Sequence, residues 1–287
     1  MGLIYKIKQY GELVMFSHTL FSLPFALVSM IWAAKGIPDM YIFFWIMIAL
    51  ISGRNGANAI NRAIDAEFDK KNERVSNRLI PQGKISKKET IILSAILFAI
   101  FEVAAYMLNP LCLILSPIAL GLFILYSYTK RFTWACHIVL GITCAGAPLG
   151  AWIAVTGSIS YVPILLSIAV ALWISGFDIL YGTQDIEFDI KEGLFSIPAK
   201  FGLKYSLIIA KIFHLLSLST LLSLYFIYKT GWIYLLGLFI ISLLFMMEHR
   251  IVEPKNKGIM NWASYHINQI VSLTFLIFTM LDFWVFK

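Results

Sequence analysis

The chain has 287 residues, of which 60% are hydrophobic and 14% are charged, and its mean hydropathy is +0.81. Soluble domains carry about 25% charged residues, so this composition excludes an ordinary soluble protein and is typical of an integral membrane protein. The net charge of +7 gives no case for nucleic-acid binding, because acidic residues are interleaved with the basic residues of the loops.

Apolar stretches recur along the chain, each near the roughly 20 residues that a membrane-spanning helix needs. We therefore expect an all-α, polytopic membrane protein with nine transmembrane helices in one integral-membrane domain over residues 1–287. The predicted spans are about 12–34, 41–62, 90–108, 111–128, 136–155, 161–180, 205–228, 231–248 and 265–286. Lys6 and Lys8 resemble the start of a signal peptide, but the apolar run that follows them is too long for one.

Lysine and arginine are concentrated in alternate loops, three of which are long: 63–89, 181–204 and 249–262. The positive-inside rule places the N-terminus and these loops in the cytoplasm, and hence the active site on the cytoplasmic face of the inner cell membrane. Acidic residues cluster at the cytoplasmic ends of predicted helices two and six. This spacing of four helices suggests two related four-helix halves around a central cavity.

One face of predicted helix two carries five polar residues in helical register. They are Arg54, Asn58, Asn61, Asp65 and Asp69, spaced by three or four residues. At 3.6 residues per turn, this spacing brings them onto one face of the helix. A single buried polar residue is readily explained as an interhelical hydrogen bond, whereas five in register indicate a binding face.

Predicted helix six repeats the pattern with Asp178, Tyr181, Asp185 and Asp189. Like charges one helical turn apart repel each other, so several on one face imply a compensating cation. Carboxylate and amide oxygens suit Mg²⁺, which takes its remaining ligands from water and from substrate phosphates. The two acidic faces together predict Mg²⁺ that holds a phosphorylated substrate.

Basic side chains are predicted on the same side of the membrane as the acids. They are Arg74, Arg78, Lys130 and Arg131, and the last two close predicted helix four beside Tyr126 and Tyr128. Lysine and arginine form charge-assisted hydrogen bonds to phosphate, and arginine can do so with two nitrogens. These four residues are therefore candidates for binding the phosphate groups.

The acidic patterns can be written Asn61-x3-Asp65-x3-Asp69 and Asp178-x2-Tyr181-x3-Asp185-x3-Asp189. In this form they resemble the two aspartate-rich motifs of the UbiA superfamily of intramembrane aromatic prenyltransferases. Residues 78–83 are similar to the family's Arg-Pro-Leu-x-x-Gly region, with the proline moved to position 81, and residues 126–131 to its Tyr-x-x-x-Lys-Arg motif. Residues 16–26 and 61–65 look most like the 4-hydroxybenzoate polyprenyltransferase branch.

The resemblance implies Mg²⁺-dependent transfer of a polyprenyl group from a polyprenyl diphosphate to a hydroxylated aromatic acid of the 4-hydroxybenzoate type. Such a reaction belongs to the biosynthesis of a respiratory quinone, ubiquinone or menaquinone. The implied metal ligands are Asn61, Asp65, Asp69, Asp185 and Asp189. The implied catalytic residues are Asp178, Tyr181, Lys130 and Arg131. The implied substrate-binding residues are Arg54, Asn58, Arg74, Arg78, Tyr126 and Tyr128.

Two of these residues receive specific roles. Asp178 is expected to orient the phenol or to take the ring proton, and Arg54 to pair with the carboxylate of the acceptor. Membrane lipid is expected around the protein, and no obligate protein partner is inferred. Two alternatives stay open: the same chemistry on a naphthoate in the futalosine route to menaquinone, and a cation-coupled transporter, which would favour acids near the bilayer midplane.

Overall fold

The computed structural model describes residues 9–14, 19–251 and 257–286, and the regular secondary structure of these residues is entirely helical. From Thr19 onward, the helices are α1 (Thr19–Ala34), α2 (Met40–Lys71), α3 (Lys87–Leu108), α4 (Pro110–Thr129), α5 (Cys136–Thr156), α6 (Tyr161–Gly182), α7 (Ile186–Lys191), α8 (Ile197–Tyr228), α9 (Trp232–Ile251) and α10 (Lys257–Phe286). A short 3-10 turn, Thr183–Asp185, separates α6 from α7.

Within the described residues, eight helical stretches are long and apolar enough to cross a membrane. A shorter apolar helix, Phe21–Ala34, falls in the first predicted span, of which residues 15–18 lie outside the described part of the chain. The all-helical, multi-pass membrane architecture is therefore confirmed. The ninth span and the orientation in the membrane stay predictions.

The second helix is longer than the sequence pattern predicted. Apolar residues end near position 62, but α2 continues for nine residues beyond the predicted span, to Lys71. Its last turns contain alanine, glutamate and lysine, which favour helix, and no glycine or proline. Asn72 caps the end of the helix, and its N–H donates a hydrogen bond to the carbonyl of Phe68. The acidic stripe of α2 is thus carried on continuous helix up to Asp69.

The helices cluster into two compact units, and the two related four-helix halves around a central cavity stay a prediction. The first unit comprises Met1–Thr19 and Asp39–Tyr128, and the second comprises Leu20–Pro38 and Thr129–Lys287. Helices α2 to α4 therefore belong to the first unit, and nearly all of α1 belongs with α5 to α10.

Aromatic stacking explains why α1 belongs to the second unit. Trp32 stacks on Tyr228 of α8 with 4.2 Å between ring centroids, and Phe25 stacks on Phe275 of α10 at 4.5 Å. In addition, the hydroxyl of Ser29 donates a hydrogen bond of 2.6 Å to a carbonyl of α5. These contacts depend on which faces of α5, α8 and α10 point toward α1, and hydropathy alone does not specify this.

Small residues bring α2 and α3 together in the first unit. A Cβ atom at Gly56 would lie 2.7 Å from the ring of Phe98, so a larger residue would require that ring to shift. The hydroxyl of Ser94 donates to the backbone carbonyl of Gly56 at 2.9 Å. Close approach at small residues is a general device of membrane helix pairs, because van der Waals packing and hydrogen bonds replace the hydrophobic effect there.

A buried polar network joins four helices of the second unit. The indole N–H of Trp173 donates to Asn268 Oδ1 at 2.7 Å, and Asn268 Nδ2 donates to Glu248 at 2.6 Å. Nearby, His249 Nε2 and His214 Nδ1 lie 3.2 Å apart. Polar groups in an apolar interior need such partners, so this network fixes the register of α6, α8, α9 and α10.

The end of α6 corrects the sequence interpretation of the second acidic motif. We expected Asp178, Asp185 and Asp189 on one uninterrupted helical face, but the 3-10 turn places Asp185 outside α6 and Asp189 on α7. Gly182 weakens the helix at this point, and the hydroxyl of Thr183 bonds to the carbonyl of Leu180 at 2.6 Å. The motif is therefore divided over α6, the 3-10 turn and α7.

Candidate active site

The first acidic segment lies at the end of α2. Asn61 Nδ2 donates to Asp65 Oδ2 at 2.9 Å, so these two neighbours of the stripe touch along the helix. Asp69 is buried, and Arg78 Nη1 lies 2.6 Å from each of its carboxylate oxygens. One predicted metal ligand is thus paired with one predicted phosphate-binding residue.

The loop after α2 holds Arg78 in position. Val75, Leu79 and Ile85 are buried beneath this loop, although it lies between two charged helix ends. Gly83 has a positive φ of 69° and donates its N–H to the carbonyl of Ile80 at 2.9 Å, which closes the turn. The glycine singled out in the sequence therefore has a conformational role that other residues adopt only with strain.

The remaining candidates of the first unit have different surroundings. Asn58 Nδ2 donates to the carbonyl of Val14 at 2.6 Å, so this predicted substrate-binding amide holds the segment before α1. Arg54 lies one turn further along the stripe and is partly buried. Tyr126 is partly buried and Tyr128 is exposed at the end of α4. The backbone N–H of Arg74 donates to Asn72 Oδ1 at 3.0 Å, which orders the start of the loop.

The second acidic segment surrounds Asp189. This residue is only 1% exposed, and its Oδ2 accepts a hydrogen bond of 2.8 Å from the hydroxyl of Ser196. Lys130 Nζ lies 3.6 Å from the same oxygen. Asp185 is also buried, in the 3-10 turn before α7. A carboxylate buried this deeply needs such donors, because desolvation of an isolated charge is costly.

Lys130 is tied to this segment through its backbone as well. Its carbonyl accepts a hydrogen bond of 2.7 Å from the N–H of Phe195, in the loop after α7. Burial disfavours the charge on the side chain, but the carboxylates of Asp189 and Asp185 outweigh it and hold the pKa of Lys130 above its ordinary value of 10.5. Lys130 is therefore a cation at neutral pH. Arg131, the next residue, is partly buried.

Asp178 lies on the last turns of α6 with a partner that the sequence did not reveal. His137 Nδ1 is 2.7 Å from Asp178 Oδ2, and the histidine is 1% exposed. Phe177 and Tyr181 flank Asp178 on α6 with 6.1 Å between their ring centroids. The side chain of Asp178 is 21% exposed, so it is accessible at the edge of this aromatic surface.

Sequence reasoning missed two residues of this site. His137 was not among the predicted site residues, because no spacing in the sequence links it to a position 41 residues later. Ser196 was not considered, although the sequence Ser-Ile-Pro before a helix is a recognisable N-cap signal. Its hydroxyl accepts from the N–H of Ala199 at 3.1 Å while it donates to Asp189.

The donor set fits a magnesium ion that shares its ligands with a phosphate group. In the part of the chain that the structure describes, no three His, Cys, Asp or Glu side chains gather closely enough to hold a metal by themselves. The oxygens of Asp69 and Asp189 instead face cationic side chains. Mg²⁺ prefers oxygen ligands and usually completes its shell with water and substrate phosphates, so a preformed protein cage is not required.

Comparison with known proteins assigns the chain to a family. The model of the UbiA prenyltransferase family matches residues 22–278. The chain belongs to this family. It is therefore a prenyltransferase, and the match favours an enzyme over the transporter that the sequence left open.

Curated relatives and solved structures agree with this assignment. A protein named 4-hydroxybenzoate octaprenyltransferase from Vibrio atlanticus (strain LGP32) is 27% identical over 282 residues, which cover 97% of this chain and 99% of that protein. A protein of the same name from Alcanivorax borkumensis is 31% identical over 237 residues, which cover 82% and 79%. The apo structure of a UbiA homolog from Aeropyrum pernix K1 is 28% identical with a TM-score of 0.84, and the match covers 93% of this chain and 98% of that one.

A more distant structure shows the same fold. It is a UbiA homolog from Archaeoglobus fulgidus bound to DMAPP and Mg²⁺, with a TM-score of 0.70 and 17% identity over 96% of this chain and 99% of that one.

Proposed function

We propose that this UbiA-family enzyme transfers a polyprenyl group from a polyprenyl diphosphate to a hydroxylated aromatic acid of the 4-hydroxybenzoate type. The proposed pathway is respiratory quinone biosynthesis, and the proposed location of the site is the cytoplasmic face of the inner membrane. One observation carries the proposal: each acidic segment holds a buried aspartate against a cation suited to phosphate, Asp69 with Arg78 and Asp189 with Lys130. The names of the curated relatives support the acceptor class.

Carboxylate and amide oxygens of both acidic segments would hold Mg²⁺. The residues proposed for this role are Asn61, Asp65, Asp69, Asp185 and Asp189. When bound, the ion would neutralise charge on the diphosphate and so make it a better leaving group. The Archaeoglobus fulgidus homolog bound to DMAPP and Mg²⁺ supports this cofactor for the shared fold.

The basic residues act on the leaving group. As the bond between the allylic carbon and the diphosphate oxygen breaks, the electron pair stays with the diphosphate, whose negative charge grows. Lys130, Arg131, Arg74 and Arg78 are the proposed counter-charges. Lys130 and Arg78 are held by Asp189 and Asp69 before substrate arrives, so little reorganisation is needed during the reaction.

Aromatic side chains protect the allylic cation. A ring face attracts a nearby cation, and an apolar wall keeps water from capturing it. Tyr126, Tyr128 and Tyr181 are the proposed residues. Tyr181 already packs beside Phe177, which in turn lies 5.7 Å from Phe21 between ring centroids.

The acceptor ring then forms the new carbon–carbon bond with its own π electrons. The ring carbon that has formed the new bond then loses its proton, which restores aromaticity. Asp178 is the proposed acceptor of that proton. Arg54, with Asn58 beside it on α2, is proposed to bind the carboxylate of the acceptor. Arginine matches a carboxylate with two parallel hydrogen bonds, which fixes the ring as well as binding it.

A product assay tests this proposal. Membranes containing the protein receive Mg²⁺, a polyprenyl diphosphate, and either 4-hydroxybenzoate or a dihydroxynaphthoate. We expect a prenylated hydroxybenzoate, identified by mass, together with released diphosphate. A prenylated naphthoate alone would move the enzyme to the alternative acceptor, and release of diphosphate without any prenylated aromatic product would refute aromatic prenylation.

A further inference from the structure

We propose that His137 is a positioning residue that fixes the carboxylate of Asp178 for the acceptor hydroxyl and the ring proton. This inference rests on the proposed function, because it assumes an aromatic acceptor at Asp178. It adds a helix, α5, to the machinery that the acidic motifs of α2 and α6 define.

The contact between the two residues is short and buried. His137 Nδ1 lies 2.7 Å from Asp178 Oδ2, and the histidine is 1% exposed. A buried imidazole with Nδ1–H directed at a carboxylate oxygen fixes the rotation of that carboxylate. With Oδ2 occupied by the imidazole, Oδ1 is the atom that we assign to the acceptor.

The imidazole packs closely against the backbone at Gly182. Gly182, one turn after Asp178, lies so close that a Cβ atom there would be 2.9 Å from His137 Cε1, and the same point is 3.6 Å from Pro198 at the start of α8. The other ring nitrogen, Nε2, is buried and has no hydrogen-bond partner among the described residues. A histidine that only filled space would bury Nε2 unsatisfied, which destabilises the fold, with no compensating interaction. Here the hydrogen bond from Nδ1 to Asp178 supplies that compensation.

Loss of this bond should affect the chemical step more than substrate binding. A carboxylate that rotates freely spends less time aligned with the proton it must accept, and misplacement by about 1 Å costs up to about 100-fold in rate. The prenyl diphosphate is bound by other residues in the proposal, so its KM should hardly change.

Asparagine and glutamine separate positioning from packing. The amide nitrogen of asparagine can occupy nearly the place of Nδ1, whereas that of glutamine reaches nearly the place of Nε2, which faces away from Asp178. Both substitutions remove the ring. The test therefore measures kcat and the KM of each substrate for the wild-type enzyme, His137→Ala, His137→Asn and His137→Gln.

The expected results differ between the variants. His137→Ala should lower kcat by about 10- to 100-fold, with the KM of the prenyl diphosphate changed by less than about twofold. His137→Asn should recover about tenfold of that loss, and His137→Gln should not. Equal rates in all three variants, or a rate for His137→Ala within about threefold of wild type, would overturn the inference.

Gly182→Ala provides a test that leaves both side chains in place. The added methyl group would press on the imidazole and shift it, so kcat should fall although His137 and Asp178 are present. If the His137 variants do not fold, this variant tests the inference instead, and an unchanged kcat in a folded Gly182→Ala enzyme would then contradict it.

The wild-type control separates the two proposals. If the wild-type enzyme yields no prenylated aromatic acid, the proposed function fails. If it yields normal product and the His137 variants have the same kcat as wild type, only the positioning role is refuted.

Discussion

Arg78 reaches back across the loop after α2 and places Nη1 at 2.6 Å from both carboxylate oxygens of Asp69. Asp69 is buried and Arg78 is partly exposed, so the pair lies at the protein surface near the end of α2. The contact aligns a proposed metal ligand and a proposed phosphate ligand before any substrate is bound. It also gives the buried loop residues a function, because they determine where Arg78 lies.

Replacement of Arg78 by lysine should weaken diphosphate binding. Lysine keeps the charge but loses the planar, five-donor group that can bind a carboxylate and a phosphate together. We expect the KM of the prenyl diphosphate to rise by about tenfold, which corresponds to ~1.4 kcal/mol, with a smaller change in the KM of the acceptor. Lys88→Arg, at an exposed site in the first turn of α3, is the matched control and should leave both constants unchanged.

Lys130 should be required for the chemical step over a wide pH range. Its pKa is raised above 10.5 by Asp189 and Asp185, so its charge, and the stability it contributes, are fully present below that value and are lost only as pH rises through the higher folded-state pKa. Activity should therefore not fall between about pH 7 and 9 through loss of this proton. Lys130→Met should lower kcat by about 10²- to 10³-fold, and Lys130→Arg should retain more activity. Equal rates for Lys130→Met and wild type would refute the role.

Arg54 should affect the acceptor rather than the diphosphate. If it binds the acceptor carboxylate, Arg54→Gln should raise the acceptor's KM by about 10- to 100-fold, because a charge-assisted pair is lost. The KM of the prenyl diphosphate should stay nearly constant. The measurement is a steady-state titration of each substrate in turn, and an equal change in both constants, or in neither, would show that Arg54 has another role.

Gly141 should be essential for the packing of α5 against α6. A Cβ atom at this position would overlap the backbone carbonyl oxygen of Ala171 and the hydroxyl of Ser175, and the backbone cannot move aside as a flexible side chain can. Gly141→Ala should therefore cost ~1–3 kcal/mol and lower the melting temperature of the purified protein. Gly150→Ala, on the same helix with open space around it, should be neutral or slightly stabilising. The expectation fails if the two variants melt at the same temperature.

The sequence predicted where the helices of this protein lie along the chain far better than which helices pack against each other. Hydropathy located α2 to α6 and α8 to α10, and the spacing of Asn61, Asp65 and Asp69 correctly indicated one continuous helical face. It did not predict that α1 packs with the later helices, because that depends on which aromatic side chains meet, such as Trp32 and Tyr228.

The candidate site shows the same limit. Residue types singled out the acids and bases as candidates, but the bonds between distant positions could not be read from spacing. The pair of His137 and Asp178 spans 41 residues and two helices, and the 3-10 turn at Asp185 results from a local competition between Gly182, Thr183 and the helix that precedes them. The first depends on a tertiary contact and the second on local backbone geometry, and residue spacing shows neither.

The central claim is that both acidic segments serve the same magnesium-dependent step. Its most direct test is the dependence of product formation on Mg²⁺ concentration for the wild-type enzyme, Asp65→Asn and Asp185→Asn. These substitutions keep the size of each side chain and remove one negative charge, so we expect both to lower kcat by at least about 10³-fold and to weaken the response to Mg²⁺. Wild-type turnover with an unchanged Mg²⁺ requirement in either variant would contradict the claim.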